Sequence, residues 1–157
     1  MTLKKGETVS IVAMGPTLMD FLQDCEGDYR RPSDHVWAVN SAGSWLHDVD
    51  LIVAMDCPRR DLKTHRRYVE RMMGRGLPVL TCEAYPEWPC TFAYPVEGVV
   101  DKIGRLPRVG SYLNNSANYA LAYALYLEAS EIRLYGCEFT ARPRQIEPWE
   151  GMPDWAV

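Results

Sequence analysis

Three short polar stretches and one acid in this 157-residue chain carry residue types that can do chemistry: Gly15-Pro16-Thr17, Asn40-Ser41, Asp56 and Asn114-Asn115-Ser116. Gly15-Pro16-Thr17 stands between an apolar β-branched run and Leu18, Met19, Phe21 and Leu22, which recur at helical spacing. A strand, a glycine turn and a helix start leave backbone N–H groups and the positive end of a helix dipole facing outward. That arrangement holds phosphate groups in many α/β proteins. The same residues also read as a plain turn without a ligand. Ser111, Asn114, Asn115, Ser116 and Asn118 form a second set, all neutral donors and acceptors. They suit sugar hydroxyls, a base edge or phosphate oxygens, and equally a turn followed by a helix cap. From Arg59 to Arg75, seven basic residues (Arg59, Arg60, Lys63, Arg66, Arg67, Arg71, Arg75) face only Asp61 and Glu70. They read as a solvated helix face, as a source of two arginines (Arg59, Arg60) for an anionic ligand, or as a nucleic-acid groove.

These residues need elements to position them. Val9–Met14, His35–Val39, Leu51–Met55, Leu77–Thr81 and Glu131–Tyr135 are short apolar runs that predict five strands. Helices are predicted from about Pro16, briefly at Ser44–Leu46, over Asp61–Arg75, over Val96–Ile103, and from the Asn114–Ser116 cap to about Glu128. Apolar strands alternating with helices predict a parallel sheet covered on both faces. The first three strands end at Gly15, Asn40 and Asp56, and ligands of open parallel sheets bind at the carboxyl ends of strands. These ends are therefore expected to line one crevice. Cys82–Pro95, rich in Pro and aromatics, reads as an irregular segment or short hairpin, a lid whose rings either stack on a ligand or pack the loop down. Gly104–Gly110 reads as a loop and Ala141–Val157 as an extended arm, giving one domain over 1–140 and an arm over 141–157.

Composition narrows the class. Apolar residues make up 47% and charged residues 24%, with a formal net charge of −4. That is ordinary for a globular domain and argues against a general nucleic-acid binder. No apolar run approaches the about 18 residues of a membrane span, so the expectation is a cytoplasmic protein without membrane attachment. Five cysteines without a C-x-x-C pattern fit reduced thiols; Cys82 and Cys90 with a distant histidine are a poor zinc set. The aromatic segment and the Trp149 and Trp155 tail offer a surface for homo-oligomer formation.

The order of these features resembles a known group: a strand into Gly-Pro-Thr-Leu, a strand into Asn-Ser-Ala, a strand into Asp, a Ser/Asn-rich helix start, and a strand into Tyr-Gly-Cys-Glu-Phe. It is similar to the Rossmann-like 6-hydroxymethylpterin diphosphokinase (MptE-like) proteins and, beyond them, to the bacterial CMP-sialic-acid sialyltransferases. The resemblance spans about residues 8 to 140, and small proteins of this type are frequent in phage genomes, which would place this chain in a host cytoplasm. It implies a three-layer α/β sandwich of about five mainly parallel strands, for which the strand order 3-2-1-4-5 is expected, with the crevice at the first strand. It implies a nucleotide- or nucleotide-sugar-dependent transferase, with a non-enzymatic nucleotide-binding module as the alternative. Gly15, Pro16 and Thr17 would hold the phosphate of a CMP-type nucleotide or ATP; Asn40 and Ser41 would contact the nucleotide or donor sugar. Asn114, Asn115 and Ser116 stand where the group has a Thr-Ser-Gly or Ser-Ser-Gly helix start. Asp56 or Glu138 would serve as base, or as ligand to a phosphate-bridging Mg²⁺ with Asp56 the first choice. The chain departs from the group at Ala117, where relatives carry Gly. No histidine follows Lys102, whereas the sialyltransferases use a late histidine as base. It also ends soon after Phe139, where relatives often continue.

Overall fold

The computed structural model describes residues 2–103, 113 and 115–138. The expected loop at 104–110, Asn114 and the expected arm at 141–157 lie outside the described residues. The strands are β1 (Thr8–Val12), β2 (His35–Val39), β3 (Leu51–Val53), β4 (Val79–Thr81), β5 (Thr91–Ala93) and β6 (Glu131–Tyr135). The helices are α1 (Leu18–Cys25), α2 (Ala42–Trp45), α3 (Pro58–Thr64), α4 (Arg66–Met73), α5 (Val96–Ile103) and α6 (Ser116–Tyr126). The six strands make one all-parallel sheet in the order β5-β4-β3-β2-β1-β6. This is the expected Rossmann-like three-layer α/β sandwich.

Period-two alternation divides the strand side chains between two cores. Val12, Val36, Ala38, Ile52 and Val79 face a layer containing Phe21 and Leu22 of α1 and Val69 and Met72 of α4. Val9, Ile11, Trp37, Val39, Leu51, Val53 and Leu80 face the other layer, with Val99 of α5 and Ala117, Ala120 and Ala124 of α6. The small residues of α6 let it lie close across β1, β2 and β3. Central strands buried on both faces explain why their sequences are continuously apolar rather than alternating.

Three expectations are corrected. The strand order is not 3-2-1-4-5, because the chain does not turn back after the third strand. It advances through β4 to β5, and only then do α5 and α6 carry it over the opposite face to β6 beside β1. Right-handed crossovers demand this: helices of the outward run lie on one face and those of the return on the other. The Cys82–Pro95 segment is neither wholly irregular nor a hairpin, since Thr91–Ala93 pairs in parallel with β4 as an edge strand. Its aromatics pack the segment down: Tyr85 is buried, meets Trp88 edge-on at 5.8 Å, and donates its own N–H to the Thr91 hydroxyl oxygen at 2.8 Å. The helix expected over Asp61–Arg75 is two helices broken at His65, whose φ is −132°. There the Thr64 hydroxyl bonds the His65 ring at 2.8 Å.

Candidate functional site

The direction of the chain's progress through the sheet reverses between β1 and β6, and a crevice of about 240 Å³ opens at the carboxyl ends of β1, β2 and β6. A reversal of strand order is where open α/β sheets place their ligands. Ala13, Met14 and Gly15 line it from β1, Val39, Asn40 and Ser41 from β2, Gly136 from β6, and Asn115, Ser116 and Ala117 from the start of α6.

Each polar residue is held there by a specific local device. Asn40 follows β2 in the left-handed region at φ +51°, which Asn adopts more readily than most residues. Its N–H donates to the Val53 carbonyl at 3.0 Å and its carbonyl accepts from Gly43 N–H at 2.9 Å. The backbone bonds turn the side chain into a place where its amide oxygen is buried and has no hydrogen-bond partner. Asn115 caps α6, its side-chain oxygen accepting from Asn118 N–H at 2.9 Å. Ser116 is buried and its hydroxyl oxygen accepts from Met55 N–H at 3.2 Å, tying the start of α6 to the end of β3. Ser41 precedes α2 and makes no side-chain cap. Asn40, Ser41, Asn115 and Ser116 are thus brought together, as the sequence suggested; Asn114 lies outside the described residues.

The Gly15-Pro16-Thr17 turn has a different environment from the one expected of a phosphate loop. Gly15 N–H donates to the Gly136 carbonyl at 2.8 Å, Pro16 has no N–H, and Leu18 N–H donates to the Gly15 carbonyl at 3.0 Å. Thr17 N–H donates to a Glu138 carboxylate oxygen at 3.0 Å, and the Thr17 hydroxyl bonds the same oxygen. The hydroxyl oxygen in turn accepts from Gly136 N–H at 2.8 Å. The start of α1 is therefore capped by the chain's own carboxylate, delivered by the segment after β6. Glycine is needed at position 15 for the same reason: a Cβ there would sit 2.5 Å from the Gly136 carbonyl oxygen and against the Glu138 carboxylate. Beside it, burial and then the nearby Glu138 push the Cys137 thiol up to about 11, so it is protonated at neutral pH.

Asp56 stands apart. It follows β3 but does not line the crevice; its side chain is 58% exposed and pairs with Arg60 at 3.1 Å. Arg60 also meets Asp61 at 3.4 Å, and Arg59 forks onto Glu87 at 2.5 and 3.0 Å while lying over the Tyr85 ring. Both arginines are thus engaged on the basic helices rather than in the crevice. Among the described residues, no three His, Cys, Asp or Glu side chains converge as metal ligands. Asp56 has a cation for its partner, an environment that does not fit a protein-built Mg²⁺ site. His35 lies at the opposite, amino-terminal end of the strands, between Glu7 at 3.0 Å and Asp50 at 3.7 Å. Among the described residues, no helix is long and apolar enough to cross a membrane.

Sequence reasoning did not single out Ala13, Met14 or Gly136 as crevice residues. Gly136 carried a usable signal, a glycine directly after a predicted strand, the same feature that drew notice to Gly15. Comparison of the chain with family models, with curated proteins and with solved structures returns no match.

Proposed function

We propose that the crevice between β1, β2, β6 and α6 binds a nucleotide or nucleotide sugar, and that the chain is a transferase using it as donor. The observation that carries the reading is Asn40: a residue at the carboxyl end of β2 that lines the crevice and has a buried amide oxygen left unpartnered. A buried acceptor without a donor costs free energy that a ligand group would recover. Ser41, Asn115 and Ser116 around it supply the hydroxyl and amide groups that orient a sugar or base. Diphosphokinase-like and glycosyltransferase-like chemistry follow from the resemblance in motif order, with Glu138 the acid nearest the crevice through its contact with Gly15.

One observation favours the second reading, a module that binds the ligand without turning it over. None of the described residues lining the crevice is titratable, and Glu138 is engaged at the start of α1. A melting-temperature panel of CMP, CMP-sialic acid, ATP, GTP and nucleotide sugars, with and without Mg²⁺, tests the site, because a ligand of the native state raises the midpoint. Asn40→Ala is expected to abolish the shift, and absence of any shift refutes the proposal. Prolonged incubation of the ligand that binds then separates the readings: a cleaved or transferred product identifies a transferase, an unchanged ligand a binding module.

A further inference from the structure

We infer that the crevice takes the uncharged part of its ligand, a ribose with its base, and that a phosphate adds little to the affinity. The inference rests on the crevice being a nucleotide-type site and deepens it by naming which portion is recognised. The phosphate position that the sequence advertises, the turn into α1, is already filled. Thr17 N–H and its hydroxyl are satisfied by Glu138, and Gly15 N–H by the Gly136 carbonyl. A ligand phosphate arriving at Gly15 and Thr17 would meet a carboxylate, and like charges at close range repel.

The crevice itself points the same way. Its described side chains are neutral, with no Lys, Arg or His among them to balance a dianion. Arg59 and Arg60, which follow β3, are neutralised by Glu87, Asp56 and Asp61. The unpartnered Asn40 oxygen is an acceptor, and what it lacks is a donor. A sugar hydroxyl or an exocyclic amine supplies one, whereas an ionised phosphate oxygen has no hydrogen to give. A volume of about 240 Å³ lies below the roughly 300–1,000 Å³ of drug-sized sites and suits a compact ring system with the charged end left in water.

The test is a titration of the full chain with adenosine, guanosine, cytidine and uridine, each beside its 5′-monophosphate, at physiological salt. The expected result is at least one nucleoside whose Kd lies within about threefold of its monophosphate. A monophosphate binding tenfold or more tightly than its nucleoside, about 1.4 kcal/mol, overturns the inference while leaving the nucleotide site standing. Binding of no member of any pair overturns the inference and the site together. Glu138→Gln assigns the cause: it is expected to tighten the monophosphate severalfold and leave the nucleoside unchanged. Equal loosening of both would show that Glu138 only supports the fold and would remove it from the argument. Should that variant fail to fold, the wild-type ratio decides alone.

Discussion

Gly136 and Gly76 have nearly the same φ, +67° and +68°, in opposite surroundings. A Cβ at position 76 would meet nothing within 4 Å, while one at position 136 would lie 2.6 Å from the Ala13 carbonyl carbon and 2.9 Å from Gly15 N. Alanine at either site bears the left-handed cost of about 1–2 kcal/mol. At position 136 it must also push β6 from β1. That loosens the bonds from Ala13 N–H to the Tyr135 carbonyl and from Gly15 N–H to the Gly136 carbonyl, each 2.8 Å. Two such bonds contribute about 1–3 kcal/mol net. Gly136→Ala is therefore expected to destabilise by about 2–5 kcal/mol against about 1–2 for Gly76→Ala. The difference, about 1–3 kcal/mol, corresponds to a gap of roughly 2–12 °C in Tm at about 2–4 °C per kcal/mol for a domain of this size. Urea unfolding of both variants measures it, with equal slopes required so that midpoints report stability. Equal loss in the two variants would refute the claim that the β1–β6 contact, and not backbone conformation alone, makes position 136 a glycine. Ligand binding should fail in Gly136→Ala and persist in Gly76→Ala, since only the former lines the crevice.

Three further outcomes are expected. Thr17→Val removes the oxygen that accepts from Gly136 N–H, leaving a partly buried donor unpaired at a cost of about 1–3 kcal/mol, which Thr17→Ser should largely restore in urea unfolding. Arg59 beside Glu87 holds its carboxyl down at about 2 from an ordinary 4.5. A depressed acid stabilises above its unfolded value and loses that contribution as pH falls through the folded one. The stability gap between wild type and Glu87→Gln should therefore be present at pH 7 and close between about 4.5 and 2; a gap that widens on acidification would reverse the sign. Asp56→Asn should leave the ligand-induced melting shift unchanged, since Asp56 faces Arg60 outside the crevice; loss of turnover with the fold and the shift intact would make it catalytic.

Much of the fold was legible because local chemistry decides it. His35–Val39, Val96–Ile103 and Glu131–Tyr135 coincide with β2, α5 and β6, each followed in the sequence by a residue that breaks it (Asn40, Gly104, Gly136). Thr91–Ala93 was not legible, since three residues between prolines become a strand only by pairing with β4. Strand order escaped for a similar reason: a connecting helix is written in the sequence, but the face it crosses depends on where the next strand finds room. The crevice was legible as strand ends, through Gly15, Asn40 and the Asn115–Ser116 cap. What occupies the turn into α1 was not. Position 15 asks for a glycine whether a phosphate or a neighbouring chain segment approaches, and here the approach comes from Gly136 and Glu138, far along the chain.

The pairing of β1 with β6 gives the molecule a schedule as well as a shape. Strands β1 to β5 lie side by side in the order in which they are synthesised, joined by crossovers of short sequence separation. Strand β6 is the last of the six to be synthesised, lies at an outer edge, and brings with it both the crevice wall at Gly136 and the clamp at Glu138. A nascent chain halted before Glu131 can have most of its sheet and no completed site. Ligand capture on stalled ribosomes would thus clock the final docking step, and slow exchange of the β6 amides in the ligand's presence would report the same event from the mature protein.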